Sequence, residues 1–259
     1  MSSITTELDV VMAGQRAKGS SVEEARAPRD CDQRSARVAG ALYLAIFVLG
    51  PFVYFYVPSE LFLDDVGETA AAIEGNVRLF AAGMVAETLI IAVEIFLAGM
   101  LWKLFRKNNE ALAFSSSIAR VGEAFIQTIN VILAGLVLIV VDRNGLAGFD
   151  LDPSMAVELL IEAIGFGVMV WGLLFGFHLL LLGVLVRRSG RMPGWIGTAL
   201  IVASIGYLAQ SYGYVLNPEL DAALANLVAV LAIPGELAFA GYLLFRGIRP
   251  AGTFSEVAS

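Results

Sequence analysis

The chain has 259 residues, of which 58% are hydrophobic and only 16% charged, and its formal net charge is −7. That balance is too apolar and too poor in charge for an ordinary soluble domain of this length, and it offers no basic face for nucleic acid beyond a rim of scattered arginines and lysines. It points to a protein built for the lipid bilayer.

Residues 1–35 are polar and mixed in charge, rich in Ser, Ala, Arg and Glu, with no apolar stretch near Met1. This composition predicts a disordered tail and no signal peptide. The single cysteine, Cys31, lies here, so an internal disulfide and a two-thiolate metal site are both excluded. Mostly apolar runs of about 20 residues or more follow at about 38–57, 79–102, 111–141, 156–186, 194–216 and 222–245. Each is long enough to cross about 30 Å of hydrocarbon at about 1.5 Å per residue. The runs are too long for barrel strands and show no alternating pattern. The expected fold class is all-α: a polytopic bundle of six transmembrane helices over residues 36–248, with a short tail at 249–259.

Span 1 ends in Phe52, Tyr54, Phe55 and Tyr56 before Pro58, an aromatic cluster suited to a membrane interface, with Trp102 and Trp195 expected at the opposite interface. Between spans 1 and 2, DDVGETAAAIEGN offers Asp64 and Asp65 as helix caps and Gly75 as a stop, which predicts a short amphipathic helix on the surface. Spans 2 and 3 and spans 4 and 5 are joined by the short turns RKNNE and RRSGRMPG and should form antiparallel hairpins. Pro153 is placed to open span 4, and GLLFG within that span is a small-xxx-small pattern for close helix packing.

Charge is distributed unevenly. Arg16, Lys18, Arg26, Arg29, Arg34, Arg37, Lys103, Arg106, Lys107, Arg187, Arg188, Arg191, Arg246 and Arg249 all fall on one side of the alternating spans, while Asp64, Asp65, Glu68, Glu74, Asp150, Asp152, Glu219 and Asp221 fall on the other. The positive-inside rule then expects a multi-pass protein of the inner (plasma) membrane with both termini cytoplasmic.

Several spans carry polar groups. Arg120, Glu123, Gln127 and Asn130 in span 3 fall within an arc of roughly 80° on a helix of about 100° per residue. Span 2 carries Glu87 and Glu94 on one face, span 4 carries His178, and span 6 carries Glu236 just after Pro234, where the missing amide donor should kink the helix. Glu94 lies 9 residues from Lys103, Arg120 10 from Glu110, His178 9 from Arg187 and Glu236 10 from Arg246. Each is therefore roughly 14 Å deep, near the middle of the bilayer. Glu123, Gln127 and Glu87 are expected in a second layer toward the acidic side. An arginine at such depth needs partners, and Glu94 and then Glu236 are the nearest candidates for a forked pairing.

Sharper chemistries find no support. One histidine cannot form a bis-histidine haem site, no lysine is available for an intramembrane Schiff base, and no His/Cys set has metal-binding spacing. Ser211 lies too near the acidic side to meet His178, and no aspartate lies within a span, so no catalytic residue is assigned and no cofactor or metal is expected.

RVAGALYLAIFVLG in span 1, NVRLFAAGMVAETL at the start of span 2, Arg120 with Asn130 in span 3, GFHLLLLGVLVRRSGRMPGWIG across spans 4 and 5, SIGYLAQS in span 5 and GELAFAGYLLFRG in span 6 together resemble a bacterial membrane family known as domain of unknown function 4386. That family often carries aspartate where this chain has Glu87 and Glu94, and glutamine where it has Glu123. The resemblance implies a six-span membrane protein and supplies no activity. Two functional readings lead, with an intramembrane enzyme third and no nucleophile to name for it. In one, the midplane cluster binds a small molecule, ion or proton for transport or sensing. In the other, the cluster only fixes helix packing in a structural or regulatory membrane protein. The expected partners are the lipid bilayer, a small ligand or ion, and a second copy of the chain in a homo-oligomer.

Overall fold

The computed structural model describes residues 32–63, 65–142, 152–217 and 220–249, and every regular element among them is helical. Helix α1 spans Asp32–Leu61, α2 Val66–Gly75, α3 Val77–Phe105, α4 Glu110–Val141, α5 Pro153–Ser189, α6 Gly194–Leu216 and α7 Asp221–Gly241, which runs on through a wide π-helical turn at Tyr242–Arg246. Six of the seven, all but α2, are long and apolar enough to cross a membrane. The helix ends lie within a few residues of the limits set by hydropathy, except that α1 already includes residues 32–35, which composition assigns to the tail. The rest of both tails, Asp64 and most of the loop between α4 and α5 lie outside the described residues.

Local chemistry accounts for the boundaries. Asp65 caps α2 by accepting from the Glu68 amide at 3.1 Å, Asn109 caps α4 by accepting from Leu112, and Asp152 caps α5 by accepting from Ser154 with Pro153 in the first turn. Gly190, at φ 62°, ends α5 in the left-handed conformation that a residue with a side chain adopts only under strain. In α1 the prolines at 51 and 58 each remove a backbone donor, and between them the helix widens into a π-turn at Phe52–Tyr56, closed by the Val57 amide bonding to the Phe52 carbonyl. Pro234 is accommodated inside a continuous α7.

Neighbouring helices pack in sequence order, α3 on α4, α4 on α5, α5 on α6 and α6 on α7. Small residues set the distances. A Cβ on Gly183 would sit 2.7 Å from the Gly197 carbonyl, one on Gly197 2.6 Å from the Gly183 carbonyl, and one on Gly172 2.6 Å from the Ser211 hydroxyl. The small-residue stripe of span 4 is therefore used within the chain, against α6. Helix α1 closes the ring. Its first half lies on α7, where a Cβ on Gly40 would be 2.5 Å from the Leu244 amide and Tyr43 meets Phe239 edge-on at 5.4 Å, while its π-turn lies on α3. Helix α2 is more deeply engaged than a surface helix. Its Ile73 is fully buried with Leu61, Val137 and Val157, so α2 plugs one end of the bundle.

The two ends differ in charge. One carries Lys103, Arg106, Lys107, Arg187, Arg188, Arg246 and Arg249, and the other Asp65, Glu68, Glu74 and Asp152. They are called the basic end and the acidic end below. Phe55, Phe96, Phe125, Leu159 and Phe245 project outward with 66–77% of their surface exposed, as lipid-facing residues should.

Candidate functional site

The buried face of α4 carries Ser116, Arg120, Glu123, Gln127 and Asn130, so the predicted stripe turns inward along its whole length. Arg120 occupies the centre. Its guanidinium is 1% exposed and stands 3.9 Å from Glu94 of α3 and 3.5 Å from Glu123 of its own helix. The Tyr43 ring of α1 lies 5.0 Å from the guanidinium carbon and the Phe175 ring of α5 lies 5.5 Å from it. Glu236 of α7 faces the same charge but is bonded elsewhere, accepting from the Tyr207 hydroxyl of α6 at 3.2 Å. All six long helices therefore contribute a side chain to one central layer.

This arrangement corrects two expectations. Arg120 pairs with Glu94 and Glu123, and Glu236 is held by Tyr207. Glu123 belongs to the arginine's own level because helical side chains lean toward the N-terminus of their helix, which carries its carboxylate back one turn toward Arg120. The forked bonding expected of the guanidinium is also absent. Nε and Nη1 of Arg120 make no hydrogen bond, nor do both oxygens of Glu123 and Oε2 of Glu94. The contacts with carboxylates are ion-pair contacts, and the arginine's other close neighbours are two aromatic faces, where cation–π attraction applies.

His178 is fully buried and is tied to Ser116, one turn before Arg120. Its Nδ1 lies 2.8 Å from the Ser116 carbonyl and 3.0 Å from the Ser116 hydroxyl, and that hydroxyl donates to the His178 carbonyl at 3.3 Å. A carbonyl can only accept, so the geometry assigns the proton to Nδ1. Nδ1 then cannot take a proton from Ser116, and the pair is a reciprocal lock between α4 and α5, not a nucleophile with its base. His178 also stacks on Phe175 at 6.0 Å.

Toward the acidic end the second layer holds Gln127, whose amide donates to the Tyr54 hydroxyl of α1 at 2.6 Å. Tyr54 thus turns its hydroxyl inward to Gln127 while its side chain stays 36% exposed, beside the more exposed Phe55 and Tyr56. Glu87 is half-buried on the face of α3 that holds Glu94, within electrostatic range of Tyr54. Asn130 presses its amide onto Gly167, where a Cβ would overlap it. Glu158, Glu162 and Asn226 are exposed.

Sequence reasoning missed the aromatic and hydroxylic members of the layer. Tyr43, Trp171, Phe175, Tyr207 and Ser116 sit in apolar runs where their residue types are unremarkable. The one available signal was the polar tip of Tyr43 and Tyr207 at mid-span depth. Among the described residues no group of His, Cys, Asp and Glu could hold a metal ion.

Six apolar helices closed around a buried polar layer define a multi-pass helical membrane bundle. The profile of the family described as "Domain of unknown function (DUF4386)" matches residues 38–247, and the chain belongs to that family. A segment of 89 residues is 36% identical to an "Uncharacterized protein" of Archaeoglobus fulgidus, covering 33% of this chain and 46% of that protein. The matched segment is thus less than half of that archaeal relative. No solved structure matches the chain.

Proposed function

We propose that the central layer binds a proton, small ion or small molecule, and that the protein uses this site for transport or sensing across the plasma membrane, with the basic end and both termini on the cytoplasmic side. One observation carries the reading. A single buried guanidinium faces Glu94, Glu123 and Glu236, and it makes no hydrogen bond to any of them. A layer that only held helices together would match its charges and bond its polar atoms, because unpaired charge and unmet polar atoms are costly in a protein interior. A surplus of two carboxylates over the one guanidinium calls for protons or a positively charged ligand.

The packing reading has support at two of the predicted residues. His178 uses Nδ1 in its lock with Ser116 and Gln127 its amide N–H on Tyr54, while Nε2 of His178 and Oε1 of Gln127 have no hydrogen-bond partner. These contacts position the layer's helices, and Arg120 and the glutamates supply its charge.

The test is thermal unfolding of the full chain in detergent, followed across pH and with added sodium chloride. The wild type should show stability that depends on proton or sodium concentration. Glu94→Gln and Arg120→Leu should each fold and lose that dependence. A wild type indifferent to both variables, or loss of folding in both variants, would overturn the reading in favour of a packing role.

A further inference from the structure

Between α5 and α6, on the acidic-end side of the central layer, lies a half-open cavity of ≈ 220 Å³ lined by Gly165, Val168, Met169, Trp171, Gly172, Tyr207, Gln210, Ser211 and Tyr214. At roughly 30 Å³ per water it has the space of about seven waters, so its occupant is small. Trp171 and Tyr207 belong both to this cavity and to the aromatic pile over Arg120. Trp171 stacks on Phe175 at 5.1 Å, Tyr207 meets Phe175 edge-on at 4.8 Å, and the two meet each other at 6.0 Å. Val168 is 45% exposed beside this floor, which gives the cavity an open side. Gly172 packs directly on Ser211, where a Cβ would sit 2.6 Å from the hydroxyl, and Gly165 faces the Tyr214 hydroxyl, so α6 side chains close this wall of the cavity.

The lining chemistry selects the ligand. Three aromatic side chains, Trp171, Tyr207 and Tyr214, surround the space, and no lysine or arginine lines it. Directly behind Tyr207 its hydroxyl is bonded to the Glu236 carboxylate. Arg120 does not line the cavity; the Phe175 ring, 5.5 Å from its guanidinium, packs against Tyr207 at 4.8 Å. An anion would find no positive partner here. A bare metal ion would lack ligands here, since no carboxylate, imidazole or thiol lines the cavity. Aromatic faces backed by a buried carboxylate attract a weakly hydrated organic cation, whose charge is spread over methyl groups.

We propose that this cavity is a binding site for a small alkylammonium ligand, a methylated amine of the choline class, held over Trp171 and Tyr207 with its charge directed at Glu236. The proposal rests on the reading of the central layer as a ligand site, since Glu236 belongs to both.

The experiment uses the full chain in detergent with Trp102→Phe and Trp195→Phe, which leaves Trp171 as the only tryptophan. Its fluorescence is titrated with choline, with tetramethylammonium and with 3,3-dimethylbutan-1-ol, the uncharged shape analogue of choline. Both cations should give a saturable change, and the neutral analogue should bind at least about tenfold more weakly. Glu236→Gln should weaken choline by about tenfold or more. Val168→Phe, which fills the cavity from its open side, should abolish the response in a folded protein. Equal binding of choline and its neutral analogue, or unchanged choline affinity in folded Val168→Phe, would overturn the proposal. So would the absence of any response to either cation. Those failures leave the sodium and proton dependence of Glu94 and Arg120 untouched, so they are distinguishable from failure of the central-layer reading.

Discussion

Arg120 at the centre of the bundle and Arg191 at its basic end are each 1% exposed, yet the protein treats them differently. Arg191 is saturated. Its Nε donates to the Arg249 carbonyl at 2.8 Å, one terminal nitrogen pairs with Asp32 at 2.7 Å and the other donates to the Leu104 carbonyl. Its own carbonyl accepts from the Arg249 amide at 3.0 Å. These bonds tie the start of α1, the end of α3, the turn after α5 and the end of α7 into one knot, reinforced by Gln33 bonding in both directions to the backbone of Ile248. Arg120 has comparable burial and more carboxylates nearby, but its carboxylate contacts are 3.5 Å and 3.9 Å long and its remaining neighbours are rings. A buried arginine that serves the fold is hydrogen-bonded to backbone carbonyls at fixed positions. One whose donors lack partners amid surplus carboxylates is arranged for something that comes and goes.

The sharpest way to break this comparison is to remove each arginine in turn. Arg191→Leu strands Asp32 and two backbone carbonyls, so it should cost about 3–5 kcal/mol of stability, measured by reversible unfolding in mixed micelles. Gly40→Leu forces a side chain into the Leu244 backbone and should cost about 1–3 kcal/mol by the same measurement, since it attacks the α1–α7 contact that the Arg191 knot secures. Arg120→Leu should cost only about 1–2 kcal/mol, because it breaks no hydrogen bond and the carboxylates it abandons can take up protons. A loss as large as that of Arg191→Leu would erase the distinction between the two sites. Tyr54→Phe deletes one hydrogen bond to Gln127 and should cost about 0.5–1.5 kcal/mol. Glu94→Gln keeps the shape of the layer and should change stability by about 0.5 kcal/mol or less in neutral solution without added sodium.

Much of the central site is legible in the order and spacing of the residues, and the reasons are specific. Arg120, Glu123, Gln127 and Asn130 fall on one stripe because the helical period is regular, and a polar stripe in a lipid-facing helix has nowhere to go but inward. Counting residues from the basic rim puts Glu94 and Arg120 at one depth, and they do meet. The choice between Glu123 and Glu236 as the second partner escapes such counting, because backbone depth ignores the lean of side chains along the helix. Arg191 escapes it for another reason. In sequence it is one more rim arginine beside Arg187 and Arg188, and only the approach of four chain segments buries it.

The amino-acid sequence alone determines that this chain has six helices able to cross a membrane, which helix ends carry like charge and which face of α4 turns inward. Hydrocarbon admits only closed hydrogen bonding along each span, and side-chain period and charge asymmetry are one-dimensional properties. Tertiary structure alone decides that Arg120 lies between Tyr43 and Phe175, that Ser116 engages Nδ1 of His178, that Tyr207 holds Glu236, and that a cavity lies between α5 and α6 beside Trp171. Each of these depends on how far apart two helices stand and how they are rotated, which is set by packing between residues distant in the chain.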